Sequence, residues 1–374
     1  MKILILDTYY EGFLKNFYKN NPSLENKSYL KQKEYLLNSF FGTSDSYSKY
    51  LNDLNLQAED LIVNCLNLQT KWAKENNLRI FKFAIQPRLY KIPFLGNVLG
   101  RLPNLIDITE KQIIKLKPDI IYCQNISFFP KDVLKRIKNH TRLLVGQIAC
   151  PLPPKSFILE YDLILTSFPH FVDKLKGIGI NSEYFKIGFD ERILTRIGRQ
   201  KRSINFSFAG SISRHHDKAN PLLEYLVKNS DLKVYGSGSN NIKKNSVIRK
   251  NHYGEKWGLD FYKTLAKSKI SLNRHINISK NYANNMRLFE ATGMGSLLLT
   301  DMKDNLGELF KIDKEVITYN CMEEAAEKVK YYLSNRDLAN KIAIAGQKKT
   351  LDEHSYKKRM MELKKILEKY IKQN

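Results

Sequence analysis

The sequence predicts an α/β protein made of two doubly wound, Rossmann-like domains that face each other across a cleft. Three observations predict it. Short apolar runs alternate with helix-patterned segments almost throughout, the rhythm of parallel sheets covered by helices. That rhythm breaks at the basic, turn-prone residues 190–202 and then restarts. Finally, 374 residues exceed the size at which a single core usually stops growing.

The opening Met1-Lys2-Ile3-Leu4-Ile5-Leu6-Asp7 has an apolar run too short for a signal peptide and reads as the first strand. Further strands are expected at 119–123, 142–148 and 161–166, with helices at 107–116, 131–139 and 170–176. The second series begins at 203–209 and continues at 232–235, 269–272, 296–300 and 316–319. The expected partition is an N-terminal domain over 1–190, a second domain over 203–352 and a closing helix over 353–374. Tyr356, Met360, Leu363, Leu367 and Tyr370 give that helix an apolar stripe suited to packing back across the domains. No run approaches the ~18 apolar residues that a bilayer span needs.

The net charge of +24 points to anionic partners: nucleotide phosphates, acidic lipids or nucleic acid. No basic recognition helix or RNA-binding aromatic motif accompanies it, so specific nucleic-acid binding is not expected. Cys65, Cys123, Cys150 and Cys321 are scattered, which argues against a zinc site or disulfide framework and fits a reducing compartment. The expected location is cytoplasmic. The apolar-basic loop 87–101, with Arg88, Lys91, Phe94 and Arg101, is a candidate for weak contact with an anionic membrane surface.

The most informative stretch runs from Asn284 to Asp301. Leu288, Ala291 and Thr292 sit at helical spacing to face a sheet, while Arg287 and Glu290 share the adjacent face. Gly293 and Gly295 end the helix and turn the chain into a short apolar strand. A carboxylate and a guanidinium three residues apart suit a ligand with sugar hydroxyls at one end and phosphates at the other. The competing reading is an exposed surface ion pair.

This stretch resembles the donor-binding signature of glycosyltransferases of the GT-B fold, the group 1 family, and most closely its spore-maturation (CgeB-like) group. There an Asn-x-Arg-x-Phe-Glu-Ala helix precedes Gly-x-Gly-x-x-Leu-Leu-Thr-Asp, which this chain carries from Asn285 to Asp301. Phe206-Ser207-Phe208-Ala209-Gly210-Ser211 and Val234-Tyr235-Gly236-Ser237-Gly238 are similar to the opening strands of that family's second domain. Glu353-His354-Ser355-Tyr356 resembles its closing helix. The resemblance implies a metal-independent transfer of sugar from a nucleotide-sugar donor, held by the second domain, to a glycan, lipid-linked or protein acceptor on the first. It also implies that Glu290 accepts hydrogen bonds from the donor ribose. Retaining relatives often carry an acid eight positions earlier. Here that position is Tyr282, which leaves sugar identity and stereochemistry open.

Other candidates follow from position. Gly210, Ser211 and Arg214 lie between a strand end and a helix start, where free N–H groups and a guanidinium suit a diphosphate. His215-His216-Asp217 is not read as a metal site, because adjacent histidines diverge and no further ligand pattern accompanies them. There is no Asp-x-Asp motif either, so neither metal nor other cofactor is expected. Tyr253 offers a stacking face for a nucleobase, or is part of a plain glycine turn. Arg274 and His275 follow a strand end and are assigned to phosphates and sugar. Asp7 and His170 are candidate acceptor-side bases, and Arg214 and Arg274 candidate stabilisers of the leaving group. Seven tyrosines in the first fifty residues read as packing rather than as sugar platforms. An epimerase of related fold, or a non-catalytic nucleotide-sugar or nucleic-acid binder, remains the alternative.

Overall fold

The structure is a computed structural model that describes residues 1–78, 103–212 and 220–373. Two parallel sheets organise it. The first contains β1 (Lys2–Asp7), β2 (Gln57–Ile62), β3 (Ile120–Cys123), β4 (Leu143–Ile148), β5 (Leu163–Thr166) and β6 (Asn181–Tyr184), in the order β2-β1-β3-β4-β5-β6. The second contains β7 (Ile204–Ala209), β8 (Leu232–Tyr235), β9 (Ser268–Leu272), β10 (Leu297–Asp301) and β11 (Ile317–Tyr319), in the order β11-β10-β9-β7-β8. The architecture is the expected pair of doubly wound sheets. β2 and β6 are additions to the expected strands; both open on polar residues, Gln57 and Asn181, that are exposed.

Both faces of the first sheet are covered, which is why β3, β4 and β5 read as unbroken apolar runs. Leu4, Leu6, Ile121 and Leu144 pack on one face with Val133, Ile137, Phe171 and Leu175 of the helices Lys131–Lys138 and Pro169–Lys176. On the other face Ile3, Ile5, Ile120 and Tyr122 meet Tyr47, Leu51 and the stripe Tyr356, Met360, Leu363, Leu367 of the last helix, Tyr356–Ile371. The C-terminal stripe thus returns to complete the first sheet's core. Five of the early tyrosines, Tyr9, Tyr18, Tyr29, Tyr47 and Tyr50, are buried, as packing requires; Tyr10 and Tyr35 are exposed.

The outgoing and returning chains cross at one place. Phe189 N–H donates to the His354 carbonyl at 2.9 Å, and Tyr356 N–H donates to the Phe189 carbonyl at 2.9 Å. His354 Nε2 lies 3.0 Å from the Leu309 carbonyl, and Arg359 Nη2 lies 2.8 Å from Nδ1. Because an arginine can only donate, the proton belongs on Nε2. Burial, with Arg359 and Lys186 nearby, outweighs the Leu309 carbonyl and lowers the His354 pKa to about 4, so the ring stays neutral.

Asp190, at the start of the expected linker, is buried in a network of the first half. It accepts from Ser46 Oγ at 2.6 Å and Tyr50 Oη at 3.1 Å, and pairs with Arg192 at 2.6 Å. Arg192 also reaches Asp45 at 2.6 Å. The segment between the sheets is therefore anchored at its start, and it carries a short helix, Arg192–Ile197. The loop 87–101 lies outside the described residues. Among the described residues no helix is long and apolar enough to cross a membrane.

Candidate functional site

At the carboxyl end of β9 the chain leaves the second sheet as Asn273-Arg274-His275. Asn273 is fixed on every side. Its N–H donates to the Leu299 carbonyl at 2.8 Å and its Nδ2 to Thr300 Oγ1 at 2.9 Å. Its Oδ1 accepts from Asn285 Nδ2 at 2.7 Å, and its carbonyl accepts from Tyr319 Oη at 3.0 Å.

That rigid base holds an arginine with nothing to bind. Arg274 is 6% exposed, yet none of its three guanidinium nitrogens has a hydrogen-bond partner. Its guanidinium lies over the Phe208 ring at 4.8 Å, a cation–π contact from β7. Burial lowers its pKa to about 10, against the field of Tyr319 and Asp301, so it remains a cation at neutral pH. Buried arginines are ordinarily paired. An unpaired one held this firmly is a candidate anion site.

His275 points to β10. Its Nδ1 lies 2.7 Å from Asp301 Oδ1, its side chain is fully enclosed, and its Nε2 has no partner. Asn285, at the N-cap of the helix Met286–Gly293, uses its amide to hold Asn273 and the Arg274 carbonyl (3.0 Å) rather than to cap.

On that helix Glu290 is buried and Arg287 half-buried, so the reading as an exposed surface pair is set aside. Arg287 Nε lies 3.3 Å from Glu290 Oε2, with the guanidinium stacked on Phe261 at 4.2 Å. Tyr262 Oη donates to Glu290 Oε1 at 3.4 Å. Burial raises the Glu290 pKa, opposed by Arg287 and Tyr262, and lowers that of Arg287. Of nineteen buried side-chain polar atoms without a partner among the described residues, seven belong to Arg274, His275, Asn285 and Arg287. That concentration singles out this strand end as the candidate site.

Gly210 sits at the end of β7, with its N–H on the Tyr235 carbonyl at 2.9 Å. Its own carbonyl approaches Gly236 so closely that a Cβ there would stand 1.9 Å away, which only glycine at φ +133° avoids. Ser211 follows and is exposed. Arg214, together with His215, His216 and Asp217, lies outside the described residues. Tyr253 is half exposed and rests on the edge strand β8, against Tyr235 (5.6 Å) and under Lys233 Nζ (5.5 Å).

Across the cleft, Asp7 ends β1. Its carboxylate accepts the Thr8 N–H at 2.7 Å, and burial raises its pKa to about 7 despite that bond. Burial first, then the charges of Asp7, Cys150 and Glu290, raises the Tyr10 pKa. His170 stacks on Tyr282 of the second half at 5.4 Å and 16°. Burial first, then Lys280 and Lys174, lower its pKa, with the Ile278 main chain opposing. Beside it, Asn284 Nδ2 donates to Ser167 Oγ at 3.2 Å. Tyr282, the position where relatives place an acid, thus serves as an interdomain contact.

Asp301, Phe208 and Phe261 were not singled out as site residues from sequence. Phe208 alternates with Phe206 in β7, and that register was the available signal.

Residues 199–365 match the family model described as glycosyl transferase-like. Among solved structures, HepE of Anabaena in complex with UDP and glucose superposes with a TM-score of 0.61 at 12% identity, covering 98% of this chain and 99% of that one. A glycosyltransferase of Rickettsia africae gives 0.57 at 13% identity, covering 100% and 99%. Sucrose-phosphate synthase of Thermosynechococcus elongatus gives 0.58 at 8% identity, covering 100% of both. No curated protein sequence is a significant match. The fold is GT-B. Its second half, residues 199–365, is glycosyl transferase-like.

Proposed function

We propose that the protein moves a sugar from a nucleoside-diphosphate donor, UDP-sugars first among them, to a hydroxyl of a glycan, lipid-linked or protein acceptor, without a metal ion. The observation that carries this reading is Arg274: a buried, unpaired cation at the carboxyl end of a central strand, where open parallel sheets bind ligands. HepE has been solved with UDP and with UDP-glucose, which makes uridine donors the first to test.

The donor occupies the second domain, taken as 203–352, and the acceptor the first, 1–190, with 353–374 closing over both. Arg274 and Arg287 take the diphosphate, aided by the Gly210–Ser211 turn and by Arg214, which the family resemblance assigns there. Glu290 accepts from the ribose hydroxyls. As the glycosidic bond breaks, negative charge grows on the diphosphate, and cations already in place stabilise it without reorganisation. Asp7 is the favoured base for an inverting reaction. It is buried and poised near neutrality, so it can take the acceptor proton at physiological pH. His170, neutral and wedged against Tyr282, is the second candidate. In a retaining reaction the departing phosphate would take the proton instead. We place the enzyme in the cytoplasm, at the inner membrane face when its acceptor is lipid-linked.

Product analysis tests the proposal. A candidate UDP-sugar is incubated in EDTA with and without acceptor hydroxyls. Sugar transfer that needs the acceptor supports the reading. Conversion of the donor alone would mark an epimerase, and activity only with restored manganese or magnesium would refute metal independence.

A further inference from the structure

His275 and Asp301 form a pair whose chemistry goes beyond donor anchoring, though it rests on the donor reading above. β9 lies between β7 and β10. Arg274 leans toward β7, onto Phe208, while His275 leans toward β10, onto Asp301. The two side chains therefore divide the space at the strand end.

Asp301 receives the His275 main-chain N–H at 3.2 Å as well as the ring nitrogen Nδ1 at 2.7 Å, and Lys303 Nζ lies 3.2 Å from its other oxygen. Burial alone would raise its pKa, but His275 and Lys303 hold it below the usual range, so it is an ionised acceptor. An ionised carboxylate can only accept. Nδ1 therefore carries a proton, and in the Nδ1–H tautomer the lone pair lies on Nε2. That atom is enclosed and unsatisfied. So is Asn285 Oδ1, another acceptor beside the same strand end. A buried acceptor without a donor is costly unless a ligand completes it. A phosphate oxygen carries no proton to give; a sugar hydroxyl does.

We propose that Asp301 positions His275 in the Nδ1–H tautomer, and that Nε2 accepts a hydrogen bond from a hydroxyl of the transferred sugar. His275 is then a specificity-determining residue and Asp301 its positioning residue.

The test separates anchoring from recognition. In His275→Asn the amide nitrogen replaces Nδ1 and keeps the Asp301 bond, but Nε2 is gone. In His275→Gln the amide instead reaches the Nε2 position and loses the Asp301 bond. Calorimetry uses UDP, UDP-glucose, UDP-galactose and UDP-N-acetylglucosamine. The wild type is expected to bind the tightest UDP-sugar on the order of 5-fold more strongly than UDP, about the worth of one neutral hydrogen bond. His275→Asn should lose that margin while keeping its affinity for UDP and its melting temperature, and His275→Gln should retain part of it. Asp301→Asn should reduce the margin and Asp301→Glu should recover some. A full margin in His275→Asn, or none in the wild type, overturns the inference while UDP binding leaves the donor reading standing. Absence of UDP binding in the wild type takes down both.

Discussion

Gly293 lies directly against the ring of Phe189: a Cβ on Gly293 would come within 2.6 Å of it. This contact seats the end of the helix bearing Arg287 and Glu290 on the segment that crosses between the two halves. Phe189 is itself zipped to His354 and Tyr356. Gly293→Ala should therefore overpack the crossing and destabilise the protein by about 1–3 kcal/mol. Phe189→Leu in the same chain should recover part of the loss. Urea unfolding of the two variants checks this, and an unchanged midpoint in Gly293→Ala would show that the crossing is slack.

Arg274 should trade stability for binding. Replacing a buried cation that has no partner with an apolar side chain removes a desolvation cost, so Arg274→Met should be more stable than wild type by on the order of 1 kcal/mol or more. The same variant should lose the thermal upshift that UDP gives the wild type. Melting curves with and without UDP measure both. A variant less stable than wild type would mean that Arg274 is structural.

Glu290→Ala should weaken UDP binding by roughly 1.5–3 kcal/mol, the range for hydrogen bonds to a charged acceptor, with the fold intact. Glu290→Gln, which still accepts but carries no charge, should fall between. Calorimetry decides; unchanged affinity in the alanine variant would remove Glu290 from the ribose.

Much of this was legible in the sequence because it was written as pattern. Nine strands were readable as apolar runs, and Arg287–Glu290 stood out because helical spacing put both beside the sheet-facing Leu288, Ala291 and Thr292. The missing strands failed for a physical reason. β2 starts with exposed Gln57 and buries an acid, Asp60, while β6 is a polar edge. Neither shows an apolar run. The His275–Asp301 pair was hidden because its members are 26 residues apart and meet only through the adjacency of β9 and β10. Tyr282 was recognised as a departure, but its stacking on His170 depends on how the two halves meet, which no local pattern encodes.

Asp60 makes stability depend on pH. It is fully buried, one of its oxygens has no partner, and burial raises its pKa from 3.8 to about 7, with Ser48 and Lys33 opposing. An acid with a raised folded pKa contributes its full stability below the unfolded value and loses it as pH rises through the folded one. Stability should therefore fall between about pH 4 and pH 7, by on the order of a few kcal/mol at 1.36 kcal/mol per unit. Asp60→Asn should flatten that slope and be the more stable protein at pH 8. Denaturation across pH 4 to 8 tests the sign, and parallel profiles for the two proteins would show that Asp60 titrates normally.

The central claim is that Arg274 and its neighbours bind a nucleoside diphosphate through protein cations alone. Its most direct test is a calorimetric titration of UDP into wild type and Arg274→Met, both in excess EDTA. The account predicts saturable one-to-one binding to the wild type and at least ~10-fold weaker binding to the variant, the scale of a charge-assisted contact. Equal affinity for both proteins, or binding to the wild type only after manganese or magnesium is restored, would contradict it.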